Sequence, residues 1–191
     1  DTPYGAAVSP NPNNGRVCLS DMDPRQRGLF AAAWNVGLMA RFAAGGVDSV
    51  ALGAVSGPQG VIYRKAGHKQ PWFDEAKAAV YPSYHVLAGL CAASGAKRRD
   101  VVSSAPSTVA ALGNAAKSGS ELWLANLTPE TQKVKVTGFD GAAEIHHLSD
   151  RNFQALATKP DFLSRAGDMV KKVSSVELGP YGTSARSPRP V

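Results

Sequence analysis

The residues of this 191-residue chain whose types suit chemistry on a substrate gather in two loops. The first covers residues 1–22, DTPYGAAVSPNPNNGRVCLSDM, where three Pro, three Asn and two Gly follow no periodic pattern. Asn11, Asn13, Asn14 and Arg16 carry donors and acceptors suited to a polyhydroxylated or carboxylated ligand. Alternatively the asparagines only satisfy turn backbone, as Asn commonly does. The second loop, residues 56–79, is long for a strand-to-helix connection, and long ordered loops are usually functional. In it Arg64, His68 and Trp72 would form a wall over a sugar ring. His68 suits general acid or base work, because its unperturbed pKa of about 6.5 lies near neutrality. The plainer alternatives are a solvated loop histidine and a Trp packed on a domain rim.

Other chemistries find no support. The sequence has no Gly-rich phosphate loop, HExxH, CxxC pair or GxSxG elbow, so no cofactor or metal is expected. His146 and His147 are adjacent on an expected strand, so their rings point to opposite faces and cannot chelate one ion. They read as structural. Glycoside hydrolysis needs two facing carboxylates. The acids on the relevant face are Asp21, Asp23 and Asp74, and Asp23 is already explained as a helix cap. The principal acid and base of a barrel enzyme would then lie upstream of Asp1.

The elements that would position these loops start at Asp23-Pro24-Arg25-Gln26, a helix-start signal with Asp as cap, Pro in the first turn and Gln three residues on. Phe30, Ala33, Trp34, Gly37, Leu38 and Arg41 follow a helical rhythm, giving one stripe to face a neighbour. Gly45-Gly46 stops the helix. The run 47–55, VDSVALGAV, is mostly apolar and too short for a helix, so it reads as a strand buried on both faces, as in parallel sheets covered by helices. Val61–Arg64 reads as a short edge strand. A second helix runs from Tyr81 or Pro82 to about Ser94, with Tyr84, Val86, Leu87, Leu90 and Cys91 as its apolar positions. One buried parallel strand cannot stand alone, because its backbone groups need neighbours on both sides. Residues 1–95 therefore read as the last segment of a β/α barrel, with the other strands elsewhere in a larger parent or on another chain. The opening at Asp1, without Met or signal peptide, fits a fragment or processed piece.

Beyond Gly95 the texture changes to short runs between Gly, Pro, Asn and Asp: 101–104, 107–112, 121–126, 132–137, 144–148, 173–178 and 181–186. Several alternate, as in Leu122-Trp123-Leu124, which predicts an antiparallel β-sandwich over residues 96–191. Residues 149–170 interrupt the series, and Phe153, Leu156, Phe162 and Leu163 there read as an excursion that tucks apolar side chains back. Trp123 alternates with Leu122 and Leu124, so it either fills the core or domain interface or serves as an exposed stacking platform. The fold class is thus α/β plus all-β: the C-terminal part of a TIM barrel followed by a sandwich.

Composition limits the partners. The net charge of +6 is spread as +2 over residues 1–95 and +4 over 96–191. The run Lys97-Arg98-Arg99 sits at the domain junction and reads as a solvated linker, so no nucleic acid is expected. No run of about eighteen apolar residues exists, so no membrane span is expected. Cys18 and Cys91 show neither metal-ligand spacing nor a disulfide framework, and read as reduced thiols of a cytoplasmic protein.

Several stretches resemble one family. They are Asp1-Thr2-Pro3-Tyr4-Gly5, the Asn-rich loop Asn11 to Arg16, Asp23 to Trp34, and the Ala79-Val80-Tyr81-Pro82-Ser83-Tyr84-His85-Val86-Leu87 helix start. Followed by a sandwich, they resemble the C-terminal portion of the D-apionate lactonase family. The resemblance implies a glycoside-hydrolase-like TIM barrel with a C-terminal sandwich, and opening of a branched-pentose, D-apionolactone-like ring in bacterial sugar-acid catabolism. It implies a small carbohydrate or sugar lactone as partner, together with the remaining barrel segment of the parent. It assigns no catalytic residue to a position here. Two other functions stay open: a TIM-barrel glycoside hydrolase, and a non-catalytic carbohydrate-binding or structural sandwich module.

Overall fold

The computed structural model describes residues 12–13, 23–57, 59–116, 119–139 and 141–188. Asn11, Asn14 and Arg16 lie outside the described residues, as do Cys18 and Asp21. Asp23 acts as a cap, its Oδ1 accepting from the Arg25 backbone N–H at 2.9 Å. It caps a single 3-10 turn, Pro24–Arg27, rather than the long helix the sequence suggests. Gly28 is extended (φ −101°, ψ −179°) and breaks the path before α1, Leu29–Ala44, begins. At the far end Gly46 takes a left-handed φ of 73°, where a side chain would be strained.

The buried face of α1 differs from the expected stripe. Ala31, Ala32, Ala33, Asn35 and Val36 face inward, while Trp34 is 57% exposed. Small side chains let the helix approach both α2 (Pro82–Ala92) and the sheet behind it, which bulky ones would hold off. Gly37 adds to this, since a Cβ there would press on Leu127. On α2 the inward residues are Pro82, Ser83, His85 and Val86, with Leu87 and Leu90 half-buried and Cys91 exposed.

The Val47–Val55 run is not a buried strand. Only β1, Ala54–Ser56, is extended, and among the described residues its partner is β2, Gly60–Ile62, in parallel register. All three β1 residues are exposed, Val55 at 72%, and Val47 is exposed as well. Parallel strands are buried by layers packed on their faces, and among the described residues β1 has no such cover. On the other side, Ile62 forms an isolated bridge to Val80, which ties the long loop closed at its base.

The second half forms a sandwich of unequal sheets. β3 (Arg98–Arg99), β4 (Val109–Ala116), β5 (Gly119–Asn126), β7 (Ala143–Leu148), β8 (Asp168–Val170) and β10 (Thr183–Pro188) make a six-stranded antiparallel sheet, ordered β3-β4-β5-β10-β7-β8. β6 (Gln132–Lys135) pairs with β9 (Ser175–Leu178) across its other face. Alternation divides the residues between two cores. Ala110, Leu112, Trp123, Ala125 and Ala185 face α1 and α2, whereas Val109, Leu122, Leu124 and Ile145 face Val176 and Leu178. Trp123 is fully buried, so it fills the core and is no exposed platform. Val101–Ser104 is not a strand; the ladder partner of β4 on the side away from β5 is instead Arg98–Arg99, inside the run read as a linker. The excursion tucks its apolar side chains back as expected, although its end, Asp168–Val170, is not part of the interruption but strand β8 of the large sheet. After a 3-10 turn at Asp150–Asn152, α3 (Phe153–Thr158) drives Leu156 fully into the first core, and Phe162 and Leu163 pack beside it.

Candidate functional site

The loop between β2 and α2 folds around two side chains that hydrogen-bond in several directions. The Asp74 carboxylate accepts from the Tyr63 hydroxyl at 2.6 Å and from the Gln70 backbone N–H at 2.7 Å. Gln70 is fully buried; its Nε2 donates to the Arg64 carbonyl at 2.8 Å, and its Oε1 accepts from the Tyr81 hydroxyl. Tyr81 caps α2, so the loop is anchored directly to the helix that follows it. Phe73, Ala78, Tyr81 and Ala157 form a small core beneath.

These contacts set the ionisation of the loop. The hydrogen bond from Tyr63 is the main cause that holds the Asp74 carboxyl below its ordinary value, followed by the Gln70 N–H. The same contact pushes the Tyr63 phenol up to about 12. Burial raises Tyr81, and the Arg27 guanidinium, itself buried, works against that rise. Asp74 is therefore occupied in holding the loop.

Arg64 is exposed on this loop, joined to Gln70 through its backbone carbonyl. His68 is half-buried, and its Nε2 is buried with no hydrogen-bond partner among the described residues. Trp72 is about one-third exposed at a left-handed φ of 69°, uncommon for a bulky residue. Its ring packs on Phe73 at 5.1 Å and on Phe153 of α3 at 4.9 Å, which docks the loop on the sandwich side of the molecule. Among the described residues, no hydrogen bond, ion pair or ring contact joins Arg64, His68 and Trp72 to one another. The sequence places Tyr63 in a short strand and Tyr81 at a helix start, and it does not single out either of them, or Gln70, as an anchor of the loop. The available signal was Tyr81 at a helix start, because a buried Tyr hydroxyl there needs a partner.

A second group of ionisable side chains lies between α2 and the large sheet. His85 is fully buried with Nε2 2.7 Å from the Leu156 carbonyl, and its Nδ1 has no partner. Burial pushes its pKa down, and does the same to His146. Glu121 accepts from Trp123 Nε1 at 2.8 Å, and burial raises its carboxyl pKa. Among the described residues no group of three or more His, Cys, Asp or Glu could hold a metal ion. No helix among them is long and apolar enough to cross a membrane.

Comparison with known proteins finds relatives of this chain. Residues 1–95 match the description "D-apionate lactonase, TIM barrel domain", and residues 106–185 match "D-apionate lactonase, C-terminal immunoglobulin-like domain". A D-apionate lactonase of Brucella anthropi is 31% identical over 137 residues, which is 72% of this chain and 21% of that protein. The chain thus spans about a fifth of the length of that curated relative. Among solved structures, a GH30 endoxylanase of Clostridium papyrosolvens overlaps 56% of this chain and 28% of its own, at 12% identity and a TM-score of 0.41. A MUTB mutant soaked with trehalulose overlaps 49% and 14%, at 19% identity and a TM-score of 0.34. With two successive domain descriptions of one family matched in order, the chain belongs to the D-apionate lactonase family.

Proposed function

We propose that this chain is the C-terminal part of a sugar lactonase acting on a D-apionolactone-like ring, and that the loop from Tyr63 to Val80 is one wall of its site. The carrying observation is the family match through both domains. Opening a lactone needs an activated water at the carbonyl, hydrogen bonds to the oxyanion, and a proton for the departing ring oxygen. His68 is the proton-transfer group in this reading, because its buried Nε2 is not taken up by any described residue. Arg64, with Arg16, Asn11 and Asn14 from the first loop, binds substrate oxygens, and Trp72 offers a ring edge to the sugar. The remaining barrel segment of the parent lies against the exposed side chains of Val47, Val55 and Ile62. We set the domain division at residues 95 and 96, and place the protein in the cytoplasm, where the exposed free thiol of Cys91 would stay reduced.

The test is made on the full-length parent, with aldonolactones and aryl glycosides assayed side by side. Hydrolysis of lactones alone is expected, and His68→Gln should lower kcat about a hundredfold. Cleavage of glycosides without lactone opening would replace the lactonase reading with a glycosidase one. Unchanged kinetics in His68→Gln would remove that residue from the site.

A further inference from the structure

We infer that Gln70 is the positioning residue for His68, its buried side chain closing the short loop 65–69 on which His68 stands. This rests on the lactonase reading of the loop and names what keeps its proton-transfer group in place.

Residues 64–69 have no regular structure. Among the described residues one hydrogen bond reaches them, from Gln70 Nε2 to the Arg64 carbonyl at 2.8 Å. Gly67, next to His68, is exposed and adds no stiffness of its own. Irregular backbone with so few ties moves unless its ends are fixed, and here the Gln70 amide joins the two ends. Proton transfer needs its group within hydrogen-bond reach of the reacting atom, so a displacement of about 1 Å is costly.

The amide has one orientation. A carbonyl only accepts, so the nitrogen must face Arg64, which leaves Oε1 to accept from the Tyr81 hydroxyl. Gln70 and Tyr81 are both fully buried, so water cannot replace either bond. An apolar side chain would fill the same space without the cost of burying an amide, whereas an amide with both ends engaged selects one geometry.

The frame behind Gln70 is rigid. Its backbone N–H donates to Asp74, whose own N–H returns to the Gln70 carbonyl at 3.1 Å. The Tyr81 N–H donates to the Val61 carbonyl of β2 at 2.8 Å. The N–H groups of Ala79 and Val80 both donate to the Ala157 carbonyl of α3, at 2.8 and 3.1 Å. Through Gln70, His68 is thus held in register with β2, α2 and α3 together.

The test uses the full-length parent, with hydrolysis of an aldonolactone as the assay and folded enzyme quantified by circular dichroism. Gln70→Leu keeps most of the bulk and removes both hydrogen bonds, and should lower kcat about tenfold. Placed on His68→Gln it should lower kcat by less than about twofold more, because the group it positions is already gone. In Gln70→Glu a protonated carboxyl can donate to the Arg64 carbonyl, whereas an ionised one repels it. The ratio of variant to wild-type kcat should therefore rise several-fold as pH falls toward 5. If Gln70→Leu does not fold, the pH dependence of Gln70→Glu decides. Wild-type kcat in Gln70→Leu, a full tenfold loss on top of His68→Gln, or a pH-independent ratio for Gln70→Glu would each overturn the inference and leave the lactonase reading intact. Unchanged kcat in His68→Gln would overturn this inference together with the role of His68 on which it rests.

Discussion

In the unfolded chain His85 and His146 take up a proton near their ordinary value of 6.5, whereas in the fold burial holds both below it. The native state therefore refuses protons that the unfolded state accepts, and the resulting stability, present above pH about 6.5, is lost as pH falls toward the folded values. The melting temperature should drop between about pH 7 and about pH 5.5, and His85→Phe should flatten part of that slope. An unchanged slope would mean that His85 is not buried in solution. Glu121 acts with the opposite sign in a lower window: its carboxyl is raised above 4.5, so its contribution is present below that value and lost as pH rises through the folded one. Tyr63 offers a separate reading of the loop. Replacing Asp74 by Asn removes the partner that pushes the phenol to about 12, so an ultraviolet titration should find it nearer 10. Titration at the wild-type position would show that the contact is not kept in water. None of this was legible in the sequence, because Tyr63 with Asp74, and Gln70 with Tyr81, meet across eleven residues of irregular chain. His68 and Trp72 stood out by residue type alone, which says what a side chain can do and nothing about its neighbours.

Between elements, α2 and the sheet meet where a helical glycine faces an indole. A Cβ at Gly89 would overlap the Trp123 ring, which is buried and bonded to Glu121 and cannot easily turn away. Gly89→Ala should therefore destabilise by about 1–3 kcal/mol despite the better helix propensity of Ala, as urea unfolding would measure. A neutral or stabilising result would show that the helix lifts freely from the sheet. Leu156 is the anchor of the excursion between β7 and β8, fully buried in the core that α1 and α2 share. Leu156→Ala should cost about 2–5 kcal/mol on the same measurement, and a cost below about 1 kcal/mol would mean that α3 is only loosely docked. Strand alternation was readable because its two-residue period separates Trp123 from Leu122 and Leu124 whatever the partners are. The face of α1 was not. Its sequence offers a bulky stripe and an alanine stripe, and helical period alone does not say which of them a close-packed neighbour will take.

Taken whole, the molecule has a well-covered sheet and a poorly covered strip. The six-stranded sheet is packed on both faces, by helices and by the β6–β9 pair, while Val47, Val55 and Ile62 are exposed. The expectation of a buried strand rested on apolar content, which reports suitability for burial; the described residues supply only β2 as a partner. Val55→Asp should accordingly change the stability of the 191-residue chain by less than about 0.5 kcal/mol. In the full-length parent the same change should lower the melting temperature by several degrees, if other barrel strands pack there. Equal melting of parent and variant would place that strip on an outer surface.

The order of strands in the large sheet has a bearing on biosynthesis. β10 lies between β5 and β7, yet it follows every other described strand in sequence. While a nascent chain is emerging from the ribosome, β3-β4-β5 and β7-β8 remain two half-sheets, each with an open edge that invites pairing with other polypeptides. Closure waits until Thr183–Pro188 has been translated, so a premature stop a few codons earlier should yield insoluble protein rather than a shortened active one.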